Sequence, residues 1–163
     1  MSQWGYKVEG MKKLDDLITV LESFLGSIDS IIEGVIKDNE QKVLEEVRAQ
    51  LWDGLTGDLT QITPNYLTDP YFESRGQAIG YMEWKQKITP NSRRRKETPN
   101  LFINGYFHGT LTIDYIEGAF LITSHDPMGQ DIMNKYGYKT FAVNDEFIKG
   151  LKEEVKTKIM ERL

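Results

Sequence analysis

The sequence predicts an α+β fold: long N-terminal helices, a small antiparallel β-sheet with a hairpin, and a C-terminal helix packed on the sheet. Three observations carry that expectation. Apolar residues recur at helical spacing from Met11 to Lys37. The period switches to 2 after Thr110, and a well-capped amphipathic segment begins at Asn144.

In the first segment Leu14, Leu17, Ile18, Leu21, Phe24, Leu25, Ile28, Ile31, Ile32, Val35 and Ile36 form one broad stripe. Gly26 and Gly34 weaken this helix by about 1 kcal/mol each relative to Ala without ending it. The simpler reading of the stripe is core packing. Asp38 and Asn39 mark a break, and Gln41 completes a variant of the capping box with Asp38. The second helix carries Val43, Leu44, Val47 and Leu51, and Gly54 and Gly57 stop it.

Residues 54 to 76 read as irregular, because Pro64 and Pro70 exclude a long helix and Asn65 and Asp69 favour turns. A short helix is expected over Gln77 to Ile88. Pro90 to Pro99 reads as an exposed loop carrying the basic run Arg93, Arg94, Arg95 and Lys96. Around Gly105, Leu101, Phe102, Tyr106 and Phe107 suggest one helical turn or a tight bend.

From Thr110 the alternation of Leu111, Ile113 and Tyr115 with polar neighbours predicts a strand. Glu117 and Gly118 would turn it, and Phe120 and Ile122 alternate on the return. Asp126 and Pro127 open a short helix that Gly137 ends, and Thr140 to Val143 could form a third strand. Asn144 is a good N-cap, with Asp145 and Glu146 suiting the positive end of the last helix. Its stripe is Phe147, Ile148, Leu151, Val155 and Ile159. A chain of 163 residues is then one domain. Its parts are a helical region at about 11–53, an irregular linker at 54–98, and sheet plus C-terminal helix at 99–163.

Composition narrows the function classes. The net charge of −5 disfavours non-specific binding to DNA or to an anionic membrane surface. Cysteine is absent, which excludes a disulfide framework and a thiolate metal site. No apolar run reaches the roughly 18 residues of a membrane span. Met11, Lys12 and Lys13 mimic the start of a signal peptide, but Asp15, Asp16 and Glu22 interrupt the apolar stretch such a peptide needs next. The expected location is the cytoplasm.

The chemistry-bearing residues are sparse. His125 and Asp126 are adjacent, so on a regular strand they would point to opposite faces, and His108 sits beside Gly109. Ser124 next to His125 lacks the glycine-flanked elbow of an exposed nucleophile. Gly54, Leu55, Thr56, Gly57 lacks the lysine of a phosphate loop. The Arg93–Lys96 run could meet phosphate or an acidic partner, yet has no interleaved aromatics to stack bases. No catalytic residue, cofactor or metal is therefore expected, and the chain is read as a non-enzyme. A small hydrolase or nuclease built on Ser124, His125, Asp126 or Asp114 is the alternative. A regulatory module docking through the N-terminal helix and the basic loop is the other.

The stretch from Asn100 through Leu111 resembles a known signature. Leu101, Asn104, Gly105, Phe107, Thr110 and Leu111 are similar to the Leu-x-x-Thr-Gly-x-Leu-x-x-Ser-Leu pattern of phage head–tail joining and tail-completion (virion morphogenesis) proteins. Asn104 stands for the usual Thr and Thr110 for the Ser. Gly118, Ser124, Lys135-Tyr136-Gly137, Phe141 and the helix from Asn144 resemble the downstream part of that family's pattern. Gln50-Leu51, Gly54, Pro64 and Tyr66 resemble an upstream stretch of prophage relatives from gut bacteria. Lys139-Thr140-Phe141 departs from the family's Arg-Pro-Phe-like stretch.

The resemblance covers about residue 40 to the end. It implies a structural, ring-forming protein between head and tail that needs no cofactor. Its implied partners are copies of itself and neighbouring connector or tail proteins, with no membrane and no specific nucleic acid. Its implied place is the host cytoplasm during assembly, then the virion neck or tail. The motif residues, with Tyr136, Gly137 and Phe141, are then possible interface positions, and Arg93, Arg94, Arg95 and Lys96 a possible docking loop. A large, mobile middle segment and the long N-terminal helix would suit this role, and both could order on neighbouring subunits.

Overall fold

The computed structural model describes residues 3–116 and 119–162, and the side chains of residues 3–14 lie outside that description. The fold is α+β: six α-helices, one 3-10 turn and one two-stranded antiparallel sheet among the described residues.

Helix α1 (Gln3–Asp38) runs for 36 residues, about 54 Å at the standard rise. Only Asn39 separates it from α2 (Glu40–Trp52). The capping box expected at Asp38 and Gln41 does not form, because the helical bonding hardly stops. Asn39 N–H still donates to Val35 O at 3.1 Å, and Gln41 Nε2 donates to Glu45 Oε1 instead. The Asn39 amide also reaches Glu154 Oε2 at 3.0 Å.

Helix α2 is the centre of the core. Val43, Val47 and Leu51 are fully enclosed, against Ile31, Val35 and Ile36 of α1 and Ile62 of the following loop. Its end is a Schellman motif. Gly54 at φ +74° lets its N–H reach Leu51 O and the next N–H reach Gln50 O, so the last carbonyls are satisfied.

Helix α3 (Arg75–Ile88) starts two residues before the expected Gln77, because Ser74 caps it by accepting from Gln77 N–H at 3.2 Å. The expected turn after Gly105 is α4 (Tyr106–Gly109). Strands β1 (Leu111–Ile116) and β2 (Ala119–Ser124) pair in the register read from the alternation, with Ile113 opposite Ile122 and Tyr115 opposite Phe120. Ile116 pairs with Ala119, so residues 117 and 118 make the connection. The expected Glu117-Gly118 turn itself lies outside the described residues.

Helix α5 (Gly129–Tyr136) ends at Gly137, whose φ is +79°. The expected third strand at Thr140–Val143 is absent; Tyr138–Phe141 is a 3-10 turn. The reason is local. This backbone is bonded elsewhere before any sheet edge could claim it. Lys139 O accepts from Gly57 N–H, and Ala142 O accepts from the Gln50 side chain at 2.9 Å. Helix α6 (Asp145–Met160) then begins at Asn144, whose side chain accepts from Phe147 N–H.

The α1 stripe divides in two. Ile31, Val35 and Ile36 are buried against α2 and α6, as core packing requires. Leu17, Ile18, Val20, Leu21, Phe24 and Leu25 are exposed, Leu25 at 61%. Core packing therefore accounts only for the C-terminal turns of the stripe.

Replacing Gln50 by Leu leaves Ala142 O and Asn144 N–H without their partner in the interior. The expected loss is about 3 kcal/mol in denaturant unfolding. Gly34→Ala, where an added methyl meets nothing within 4 Å, should gain up to about 1 kcal/mol.

Candidate assembly surface

The basic run does not form a free loop. Arg94 is buried at 3% exposure, and its guanidinium donates to Thr98 O at 2.7 Å and to Thr89 O at 3.2 Å. Of the expected docking residues, Arg94 is therefore withdrawn from the surface. It closes its own loop over Gly54, whose Cα side lies against Thr98 and Arg94. Asn91 Nδ2 donates to Trp52 O, and Arg93 pairs with Asp53 at 3.2 Å. The loop thus seals the C-terminus of α2, where exposed carbonyls favour cationic neighbours. Arg93, Arg95 and Lys96 remain on the outside.

A polar interior lies beneath the loop. Lys85, on α3, is 1% exposed, and its ammonium donates to Phe102 O. Desolvation, aided by nearby Arg94, lowers its pKa to about 8. Asn100 is fully buried and its carbonyl meets His108 Nε2 at 2.8 Å, so that nitrogen carries the proton of a neutral ring. Burial lowers the His108 pKa to about 4, against the opposing pull of that bond. Arg48 Nε donates to His108 O at 2.8 Å, tying α4 to α2. Arg94 Nε and Asn100 Nδ2 have no protein acceptor among the described residues.

The signature residues build this scaffold. Asn104 Oδ1 accepts from Tyr106 N–H, and Gly105 at φ +83° starts α4 where a side chain would be strained. Leu101 is half-buried at φ +53°. Phe107 and Leu111 are buried, and the Phe107 ring meets Phe141 edge-on at 5.8 Å. Thr110 Oγ1 donates to Tyr106 O and lies 3.0 Å from Ser124 Oγ. Gly137 turns the chain so that Phe141 enters the core, while Tyr136 is half-buried. Phe107 on the one-turn helix, Leu111 on β1 and Phe141 in the 3-10 turn are all buried in the core of this chain.

The residues of the hydrolase alternative do not converge. Ser124 Oγ accepts from Asp126 N–H at 3.1 Å, closing a turn, and His125 is exposed. Asp114 Oδ2 accepts from Thr123 on the outer sheet face. Among the described residues no group of three His, Cys, Asp or Glu side chains could hold a metal. No described helix is long and apolar enough to cross a membrane.

Two features face outward instead. The first is the exposed α1 arm. The second is an aromatic cluster, rooted in the core at Tyr66 and open at Tyr71 and Trp84, that sequence reading left unmarked. Tyr66, Tyr71, Phe72, Tyr81 and Trp84 chain together at ring separations of 5.0–6.3 Å. Tyr71 is 74% exposed, and Trp84 and Ile88 are also open. Asp69, itself buried, binds Lys135 at 2.6 Å and so fastens this segment to α5. The cluster could have been sought in the spacing of Tyr81, Trp84 and Ile88, but Tyr66 and Phe72 join it only through the fold.

Comparison with family models, with curated proteins and with solved structures gives no match.

His108 makes stability pH-dependent. The unfolded ring binds a proton below about 6.5 that the folded one accepts only near 4, so stability falls on acidification across that window. The full loss is about 3 kcal/mol. His108→Gln should remove that slope in denaturation curves measured from pH 7 to 4.

Proposed function

We propose that this is a structural phage or prophage protein of the head–tail connection or tail completion, acting by self-assembly and docking rather than catalysis. The observation that carries the reading is the arm. A helix of this length presents six large apolar side chains between Leu17 and Leu25 to solvent. Water penalises that arrangement, and a partner surface relieves it. An assembly protein has a use for such an arm, whereas an isolated small enzyme does not.

The resemblance around Gly105 supports the same reading. The signature residues shape a rigid support behind the surfaces, through the Gly105 turn and the Phe107–Phe141 contact. Partners in this role are copies of the chain and neighbouring connector or tail proteins, met first in the host cytoplasm and retained in the virion neck or tail. A regulatory module that docks one partner through the same arm is the second reading, favoured by the same exposed face.

Mass spectrometry of particles purified after prophage induction should find the protein in neck or tail fractions. Complete particles that lack it would refute the assignment. An intact particle yield from a strain deleted for the gene would do so as well.

A further inference from the structure

The arm and the α3 region carry opposite charge. Between residues 14 and 36 there are five acidic residues and no basic one, a net of −5. Between residues 73 and 97 there are seven basic residues and three acidic; with Lys85 and Arg94 buried, five basic residues against three acidic remain outside the core, a net of +2. Each region also exposes an apolar stripe at helical spacing. On α1 it is Leu17, Leu21, Phe24 and Leu25; on α3 it is Trp84 and Ile88, with Tyr71 beside them.

The two do not cover each other within this chain, where both stripes stay exposed. The basic loop is fixed at the end of α2 through Asn91 and Arg93. Pairing of arm with arm is also disfavoured. It would place Asp15, Glu22 and Asp29 against their own copies with no cation between them. The stripe has Leu17 and Phe24 beside the column of Ile18, Leu21 and Leu25, which is wider than a two-helix seam needs.

The geometry points to a head-to-tail contact between copies of this chain, in which the α1 arm of one lies on the basic, aromatic face of α3 and the 93–96 loop of the next. This rests on the assembly reading above and names its interface. A groove of about 370 Å³ at the base of the arm, on the copy that supplies it, gives the next copy's loop a place to rest. Asp29 and Glu33 of α1 line it together with Ile32, Tyr115 and Ile116. Arg95 and Lys96 of the next copy match that acidic edge in charge. A contact joining two different surfaces generates a ring when its rotation closes, and a filament when it does not.

The test is charge reversal on the full chain, read by sedimentation velocity over a concentration series. Asp15→Lys, Asp16→Lys, Glu22→Lys and Asp29→Lys together bring the arm from −5 to +3. Arg95→Glu with Lys96→Glu reverses the loop, and all six positions are exposed. Each reversal alone should weaken self-association about tenfold or more, and the combined variant should restore it. Salt should weaken the wild-type association over the same range. If the arm reversal strengthens association while the loop reversal leaves it unchanged, the arms pair with each other and the inference is wrong. A wild-type chain that stays monomeric at every concentration also overturns it. That result leaves the particle assignment standing, because a different virion protein could then cover the arm. Circular dichroism of each variant, unchanged from wild type, separates lost association from lost folding.

Discussion

The side chain of Gln50 organises the junction on which the rest of the structure depends. It sits fully inside, on the buried face of α2. Its Nε2 donates to Ala142 O, and its Oε1 accepts from both the backbone and side-chain N–H groups of Asn144. One amide thereby satisfies the backbone where the chain leaves the 3-10 turn and orients the residue that caps α6. Polar groups in the interior are tolerable only when so paired. The consequence is that Ala142 and Asn144 are committed to α2, and Lys139 to Gly57 just beyond it, so this stretch does not extend the sheet. The sheet stays two-stranded, too small to be stable alone, and it depends on the helices that cover it.

The middle of the chain obeys the same constraint by other means. Residues 54–74 carry no regular element, so their backbone groups must find partners one by one. Ile62 N–H reaches Gly54 O, Tyr66 N–H reaches Glu97 O, and Asp69 holds Lys135. Beside this stretch, buried Lys85 donates to Phe102 O, and Arg94 to Thr98 O and Thr89 O. The segment is irregular in path yet fixed in place. That gives the exposed aromatic face on α3 a rigid backing, a useful property for a surface meant to receive another helix.

The arm is the counterpart of that rigidity. Its last turns belong to the core, and its earlier turns carry the same apolar pattern into solvent. A stripe continuing without change across that boundary suits a helix that is anchored at one end and completed by a partner at the other. Charge then selects among partners, since the apolar stripe alone would accept many.

The sequence by itself determined the α+β class, the helices near Gln77, Gly105 and Asn144, and the face and register of the hairpin strands. These depend on local periodicity and capping, which a short window contains. Only the tertiary structure decided that Thr140–Val143 is no strand, because Gln50 lies 92 positions from Ala142 in the chain. It likewise decided that Arg94 is interior while Arg95 and Lys96 are not, since four consecutive basic residues look alike until Thr89 and Thr98 close around one of them. The motif around Gly105 was legible as a pattern, but its inward orientation was not. Most of all, the amphipathic stripe of α1 was plain from the residues, and where its burial ends was not. Periodicity records that a helix has an apolar face; only the packing of the rest of the chain shows how much of that face is left for something else to cover.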